Sequence, residues 1–249
     1  CFQHLEEKQM AFNLNKIKDE LRNIIFGIDS DSPRIAPINI DRFPSSSKDF
    51  RVKISDPSGR ISNSAGALAP LQQTSGKVVF PYTPEISINH TANYTPLSPT
   101  HSNYEYLFYQ SSAVSEINLV AQFSARSPED ADYVLAVQHF FRSATKMFYG
   151  QDQLAGIPPV VCRLEGHGAL QLNSVPIVIT SFSSSLPSDV DYISATDDRH
   201  GRVPTVQSFN ITAKPLYSRD RLTNEFNLGD FASGSLLNQQ QNSNNGGFI

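Results

Sequence analysis

Glu116-Ile117-Asn118-Leu119-Val120-Ala121-Gln122-Phe123-Ser124-Ala125 alternates strictly, with Ile117, Leu119, Ala121 and Phe123 on one face and Asn118, Val120, Gln122 and Ser124 on the other. A period of two marks a strand half-buried against a core. The period then changes. Ser127-Pro128-Glu129-Asp130 supplies a capping hydroxyl, a proline for the first helical position and two acids where the helix dipole favours negative charge. A helix is predicted from Ser127, with Ala131, Val134, Leu135, Phe141, Ala144, Thr145 and Phe148 on its apolar stripe and Gly150 as its stop.

Outward from this strand and helix, the pattern is mostly β. Residues 159–165, 175–182 and 206–217 are β-branched or alternating and are separated by Gly, Ser, Asp and Pro-rich turns. The last of them sets Val206, Ser208, Asn210 and Thr212 against Gln207, Phe209, Ile211 and Ala213, so one whole face is polar and meets water or a partner. Upstream, residues 77–89 read as a strand interrupted by Pro81 and Pro84, which suits a sheet edge or a bulge. Residues 1–27 carry Leu5, Phe12, Leu14, Ile17, Leu21, Ile24 and Ile25 at three- and four-residue steps, an amphipathic helix ending at Gly27. Residues 28–75 are rich in Ser, Pro and Gly, with one short alternation at Phe50, Val52 and Ile54, and read as an extended arm or linker. Residues 221–249 end in a Gln- and Asn-rich tail too polar to order by itself. The expected class is α+β, mainly antiparallel β: a pair of sheets with one flanking helix in a domain spanning 76–220, preceded by the N-terminal helix and arm.

Composition narrows the function. Twenty Lys and Arg against 24 Asp and Glu leave a net charge of −4, which argues against gripping nucleic acid by neutralising phosphates. Charged residues are only 18% of the 249, so the surface is largely neutral and polar, a type often found against other protein. No apolar run approaches the roughly 20 residues that cross a bilayer, and no basic-then-apolar leader is present, so a soluble chain without a membrane anchor is expected. Two cysteines, Cys1 and Cys162, make no disulfide framework and are expected to be reduced and inert.

The sequence holds no phosphate loop, His-Glu-x-x-His, Cys-x-x-Cys or Gly-x-Ser-x-Gly pattern. Asp189, Asp191, Asp197, Asp198 and His200 offer a weak candidate for a metal-dependent hydrolase, but their spacing fits no metal loop and a solvated turn is the expectation. His90 and His101 flank a Tyr-, Thr- and Pro-rich stretch without a nucleophile and read as structural. His139 reads as an interior or interfacial imidazole, and His167, between Gly166 and Gly168, as a hairpin turn. Asn89-His90-Thr91, Asn93-Tyr94-Thr95 and Asn210-Ile211-Thr212 match the glycosylation pattern by chance in an Asn- and Thr-rich chain. Tyr94, Tyr104, Tyr106, Phe108 and Tyr109 could stack bases, yet no basic residue lies between Tyr94 and Glu116, so packing between subunits is the better account. Arg142 and Lys146 read as a solvated or interfacial helix face.

Several strings in combination resemble a known group. They are Phe80-Pro81-Tyr82-Thr83-Pro84, His90-Thr91-Ala92-Asn93-Tyr94, Thr100-His101-Ser102-Asn103-Tyr104, the run from Phe141 to Gly150, Leu186-Pro187-Ser188-Asp189-Val190-Asp191-Tyr192, and Pro204-Thr205 leading to Pro215-Leu216-Tyr217-Ser218. Together they resemble the tube-initiator proteins of contractile-tailed, T-even-like phages, which join the baseplate hub to the tail tube. The resemblance implies a tail-tube fold in a hexameric ring whose strands join across subunits into a continuous barrel. It also implies hub proteins, the tail-tube protein and the tape-measure protein as partners, DNA only in transit, assembly in the host cytoplasm, and a place in the virion tail.

On this reading no catalytic, cofactor-binding or metal-binding residue is expected. Ring contacts are assigned to Tyr104, Tyr106, Phe108, Tyr109, Glu116, Val206, Ser208, Asn210, Thr212 and Tyr217. Nine basic and 13 acidic residues between Gly76 and Asp220 would make the ring's lumen repel DNA rather than hold it. A regular tail-tube subunit would share the fold, and copy number in the virion separates it from an initiator; a neck-end tube terminator is the other alternative.

Overall fold

The computed structural model describes residues 49–61, 66–196, 201–237 and 247–249. The chain divides into units Cys1–Phe43 and Pro44–Ile249, and every described residue lies in the second. The expected N-terminal helix and the first part of the arm fall outside the described residues.

Seven strands form one antiparallel sheet in the order β2-β1-β5-β6-β9-β4-β3. Their ranges are β1 Lys53–Ser55, β2 Lys77–Val79, β3 Glu85–Leu97, β4 Tyr106–Ser124, β5 Cys162–Gly166, β6 Leu172–Ser184 and β9 Val206–Pro215. Two three-residue strands, β7 Tyr192–Ser194 and β8 Arg202–Pro204, pair separately as a ribbon. The α+β class with mainly antiparallel β structure is the one the sequence indicates, and its two sheets are very unequal in size.

The alternation that opened the argument is the reason for the layering. Ile117, Leu119, Ala121 and Phe123 of β4 and Gln207, Phe209, Ile211 and Ala213 of β9 are buried, while Val120, Gln122, Ser208 and Asn210 are exposed. Helix α1, Pro128–Ala144, covers the buried face. Ser127 caps it, its side-chain oxygen accepting from the Asp130 N–H at 3.2 Å. Five phenylalanines close a ring between helix and sheet, with successive centroids 5.7 Å (Phe80–Phe123), 4.8 Å (Phe123–Phe209), 5.4 Å (Phe209–Phe182), 5.3 Å (Phe182–Phe141) and 6.5 Å (Phe141–Phe80). Tilted and offset contacts of this kind add to the area they bury. Cys162 lies fully inside the core, where burial pushes its thiol up to about 12, so it stays protonated and unreactive.

Three boundaries differ from the sequence reading, each for a local reason. The compact unit does not begin at Gly76: Val52 and Ile54 flank and form β1, Leu68 and Leu71 sit on a 3-10 helix (Gly66–Thr74), and all four are in the core. The sequence shows the alternation at Phe50, Val52 and Ile54, but three residues of strand inside a polar stretch do not mark it as part of the core. Helix α1 stops at Ala144 rather than Gly150, because Thr145 Oγ1 donates to the Arg142 carbonyl at 2.9 Å and Lys146 N–H to Ser143 at 2.9 Å, closing the last turn. The C-terminal region is not all idle tail: α2 (Arg219–Asn224) and α3 (Leu228–Ala232) form there, and Leu236 and Phe248 are buried.

Candidate functional site

The two ends of the large sheet are finished in opposite ways. At one end β2 pairs with β1 through Phe80 N–H to the Val52 carbonyl and the register Val78↔Ile54, so the main-chain groups of Lys77 and Val79 point away from β1. Three of those outward groups are already taken. The buried Tyr133 hydroxyl of α1 accepts from the Val79 N–H and donates to the Val79 carbonyl, and Thr74 Oγ1 donates to the Lys77 carbonyl. A short strand sealed by side chains offers nothing to a further strand.

At the other end β3 pairs with β4 and, among the described residues, with nothing else. β4 is paired with β9 through Ile117–Ser124, whereas its first part, residues 106–116, has no strand register with β9. Residues 90–97 and 106–114 therefore form a two-stranded arm of roughly 25 Å whose outer main-chain edges have no partner strand among the described residues. Two irregularities, between Ile88 and His90 and between Asn93 and Tyr94, each place an extra residue on β4 and bend the arm.

The register decides which side chains share a face, because residues directly opposite lie on the same side. One face runs from the core pairs Ile86↔Leu119 and Ile88↔Ile117 through His90↔Val114 and Ala92↔Ser112 to Tyr94↔Tyr109 and Pro96↔Leu107. It continues the apolar face that α1 covers in the body, but here it lies open. The opposite face is polar near the body, with Thr91↔Ala113 and Asn93↔Ser111, and turns apolar at Thr95↔Phe108 and Leu97↔Tyr106. Tyr94, Tyr106, Phe108 and Tyr109 are 53% to 60% exposed, and the Tyr94 and Tyr109 rings meet edge-on at 5.7 Å. The loop at the tip is polar, with Ser98 Oγ donating to Glu105 Oε1 at 3.1 Å.

Of the residues assigned to ring contacts, Tyr104, Tyr106, Phe108 and Tyr109 come together on the arm and its tip. Val206, Ser208, Asn210 and Thr212 lie on β9, which is paired on both sides and so has no free edge. What β9 presents is a side-chain face, joined to its neighbours by Thr212 Oγ1 donating to Asn118 Oδ1 at 3.1 Å. Glu116 pairs with Lys214 at 3.5 Å on that same, otherwise neutral face. Tyr217 is engaged within the chain, its hydroxyl donating to the Gly247 carbonyl and accepting from the Ile249 N–H. The continuation of β3 through residues 90–97 was missed. The available signal was the spacing of Tyr94, Pro96 and Tyr106 to Tyr109 about a polar turn.

Among the described residues the other sequence candidates do not converge. Asp189 and Asp191 sit at a turn, and Asp197, Asp198 and His200 lie outside the described residues. Among the described residues no three His, Cys, Asp or Glu side chains come together, and no helix is long and apolar enough to cross a membrane. His139 is exposed on α1, and His167 occupies the β5–β6 turn at φ +56°. An open cleft at the end of α1 is lined in part by Arg60, Arg142, Lys146 and Phe148. Arg142 and Lys146 offset the negative end of the helix dipole there, and Arg60 lies 5.8 Å over the Phe148 ring. No protein-family model matches the chain, and no curated protein matches it.

Proposed function

We propose that this chain is a structural virion protein that forms a hexameric ring between a phage baseplate hub and the tail tube, templates the tube and lines part of the DNA-ejection conduit. The observation that carries the reading is the arm: an apolar sheet face continues past its covering helix and two main-chain edges lie open, while the far end of the same sheet is sealed. Arms set side by side pair the β3 edge of one copy with the β4 edge of the next, antiparallel, as strand addition does. Each copy then gives and receives one edge. Such head-to-tail contacts close into a ring, and closure leaves no edge exposed.

The side-chain faces support the same arrangement. The neutral face of β9 and β4, with Asn118, Gln122, Ser208 and Asn210, runs into the polar half of the arm and suits a lumen that DNA must pass without sticking. The apolar arm face is left for contact with neighbouring copies and with the tube protein. The sequence resemblance supplies the hub, tube and tape-measure partners and the six-fold count.

Electron microscopy of the purified chain, alone and with baseplate and tube proteins, tests the reading. Hollow six-fold rings are expected. A compact monomer that persists in the presence of those partners would overturn it.

A further inference from the structure

The last described residues end in a socket. Phe248 is 2% exposed, stacked on Tyr217 at 4.8 Å and 17°, edge-on to Phe226 at 5.9 Å, and covered by the Arg221 guanidinium 4.9 Å from its ring. The main chain is held as closely. Tyr217 Oη donates to the Gly247 carbonyl at 3.0 Å and accepts from the Ile249 N–H at 3.1 Å, and the Phe248 N–H donates to the Leu236 carbonyl at 3.4 Å. Gly247 has φ +91°, and a Cβ there would stand 2.6 Å from the Ser174 carbonyl oxygen. The socket therefore reads a short motif: a glycine, then an aromatic ring, then a residue with a free N–H. Nothing else about the segment's sequence is specified. Asn238 to Gly246, which tether it to Leu237, contain neither an apolar nor a charged residue.

We propose that this socket is an exchangeable peptide-docking site, filled in cis by Gly247-Phe248-Ile249 and in trans by the same segment of a second copy. The contacts are identical in the two cases, so the tether decides between them. A linker of this length and composition sets an effective concentration on the order of millimolar for cis docking. Copies held side by side present their tails to one another at a comparable local concentration, so exchange between neighbours competes with cis docking. This trans role rests on the ring reading; the recognition chemistry does not.

Full-length F248A keeps the tether and vacates the socket, so it tests the site directly. The probe is a fluorescent peptide, Asn-Asn-Gly-Gly-Phe-Ile, followed by anisotropy. It is expected to bind F248A at least tenfold more tightly than wild type, whose socket is filled, and peptides with Gly247→Ala or Phe248→Ala are expected to lose that binding. Equal affinity for the two chains, or no binding to folded F248A, overturns the proposal. If F248A does not fold by circular dichroism, isotopically heavy and light full-length chains carrying photoreactive benzoylphenylalanine at position 248 replace it. Heavy-to-light crosslinks at the socket support exchange, and crosslinks confined to one chain overturn it. Sedimentation reads the arm separately: F248A that forms rings but ignores the peptide defeats this proposal alone, whereas F248A that binds the peptide without forming rings defeats the ring reading alone.

Discussion

The Tyr133 hydroxyl stands against the main chain of Val79, accepting from its N–H at 2.9 Å and donating to its carbonyl at 2.8 Å. One helix side chain thereby does for β2 what a neighbouring strand would do. The consequence is directional. A sheet sealed at β2 leaves the two edges of the arm as its open ones, which on the proposed ring reading steers copies away from pairing β2 to β2 and toward contacts through the arm.

Tyr133→Phe removes both bonds and leaves two buried main-chain groups without partners. A loss of about 2–4 kcal/mol is expected in denaturant unfolding, together with new concentration-dependent association through the exposed β2 edge. The pH dependence has a definite sign. Burial holds the Tyr133 hydroxyl well above its ordinary value of 10.0, so its stabilising effect is complete below pH 10 and is lost as pH rises further. The wild-type melting temperature is expected to fall more steeply above pH 10 than that of Tyr133→Phe.

Asp49 behaves in the opposite sense. The Arg51 guanidinium, bonded at 2.9 Å, and then Lys53 at 3.0 Å hold its carboxyl well below the ordinary 3.8 despite the opposing effect of burial. A depressed carboxyl contributes stability above pH 3.8 that disappears as pH falls below it. Asp49→Asn is expected to be less stable than wild type at neutral pH, and the gap is expected to narrow in melts taken below pH 3.8.

The ring of phenylalanines predicts a large core effect. Phe209 touches both Phe123 and Phe182, so Phe209→Ala opens the ring at two contacts. A loss of about 3–5 kcal/mol is expected, which for a domain of this size lowers the melting temperature by about 10 °C. Calorimetry checks it.

Arm substitutions separate assembly from folding. Tyr94 and Tyr109 meet one another and are otherwise exposed, so the double change Tyr94→Ser, Tyr109→Ser is expected to move the melting temperature by less than about 2 °C. Association measured by sedimentation is expected to weaken by about tenfold or more. Unchanged association would remove the arm from the interface.

The sequence was most legible where burial was one-sided. Ile117 to Ala125 alternated because β4 has α1 on one face and solvent on the other, and Ser127 announced the helix because an N-cap is a local feature. Legibility failed where tertiary contacts or partners set the pattern. Residues 90–97 read as a loop because both faces of the arm are exposed, which erases the alternation, and because Pro96 is tolerated on an edge strand. The sealing of β2 was invisible, since Tyr133 and Val79 meet only in the fold. Tyr217 was assigned to a ring contact, and nothing near it in sequence showed that its hydroxyl turns back to Gly247 and Ile249.

Amide hydrogen exchange of β3 in the free chain and in the assembled particle tests the central claim most directly. In the free chain the outward N–H groups between Glu85 and Leu97 have no partner strand among the described residues and are expected to exchange fast. If neighbouring copies complete the sheet, those amides become protected on assembly by about a hundredfold or more, while the Val79 amide is protected in both states. Fast exchange along β3 within an intact ring would contradict the account.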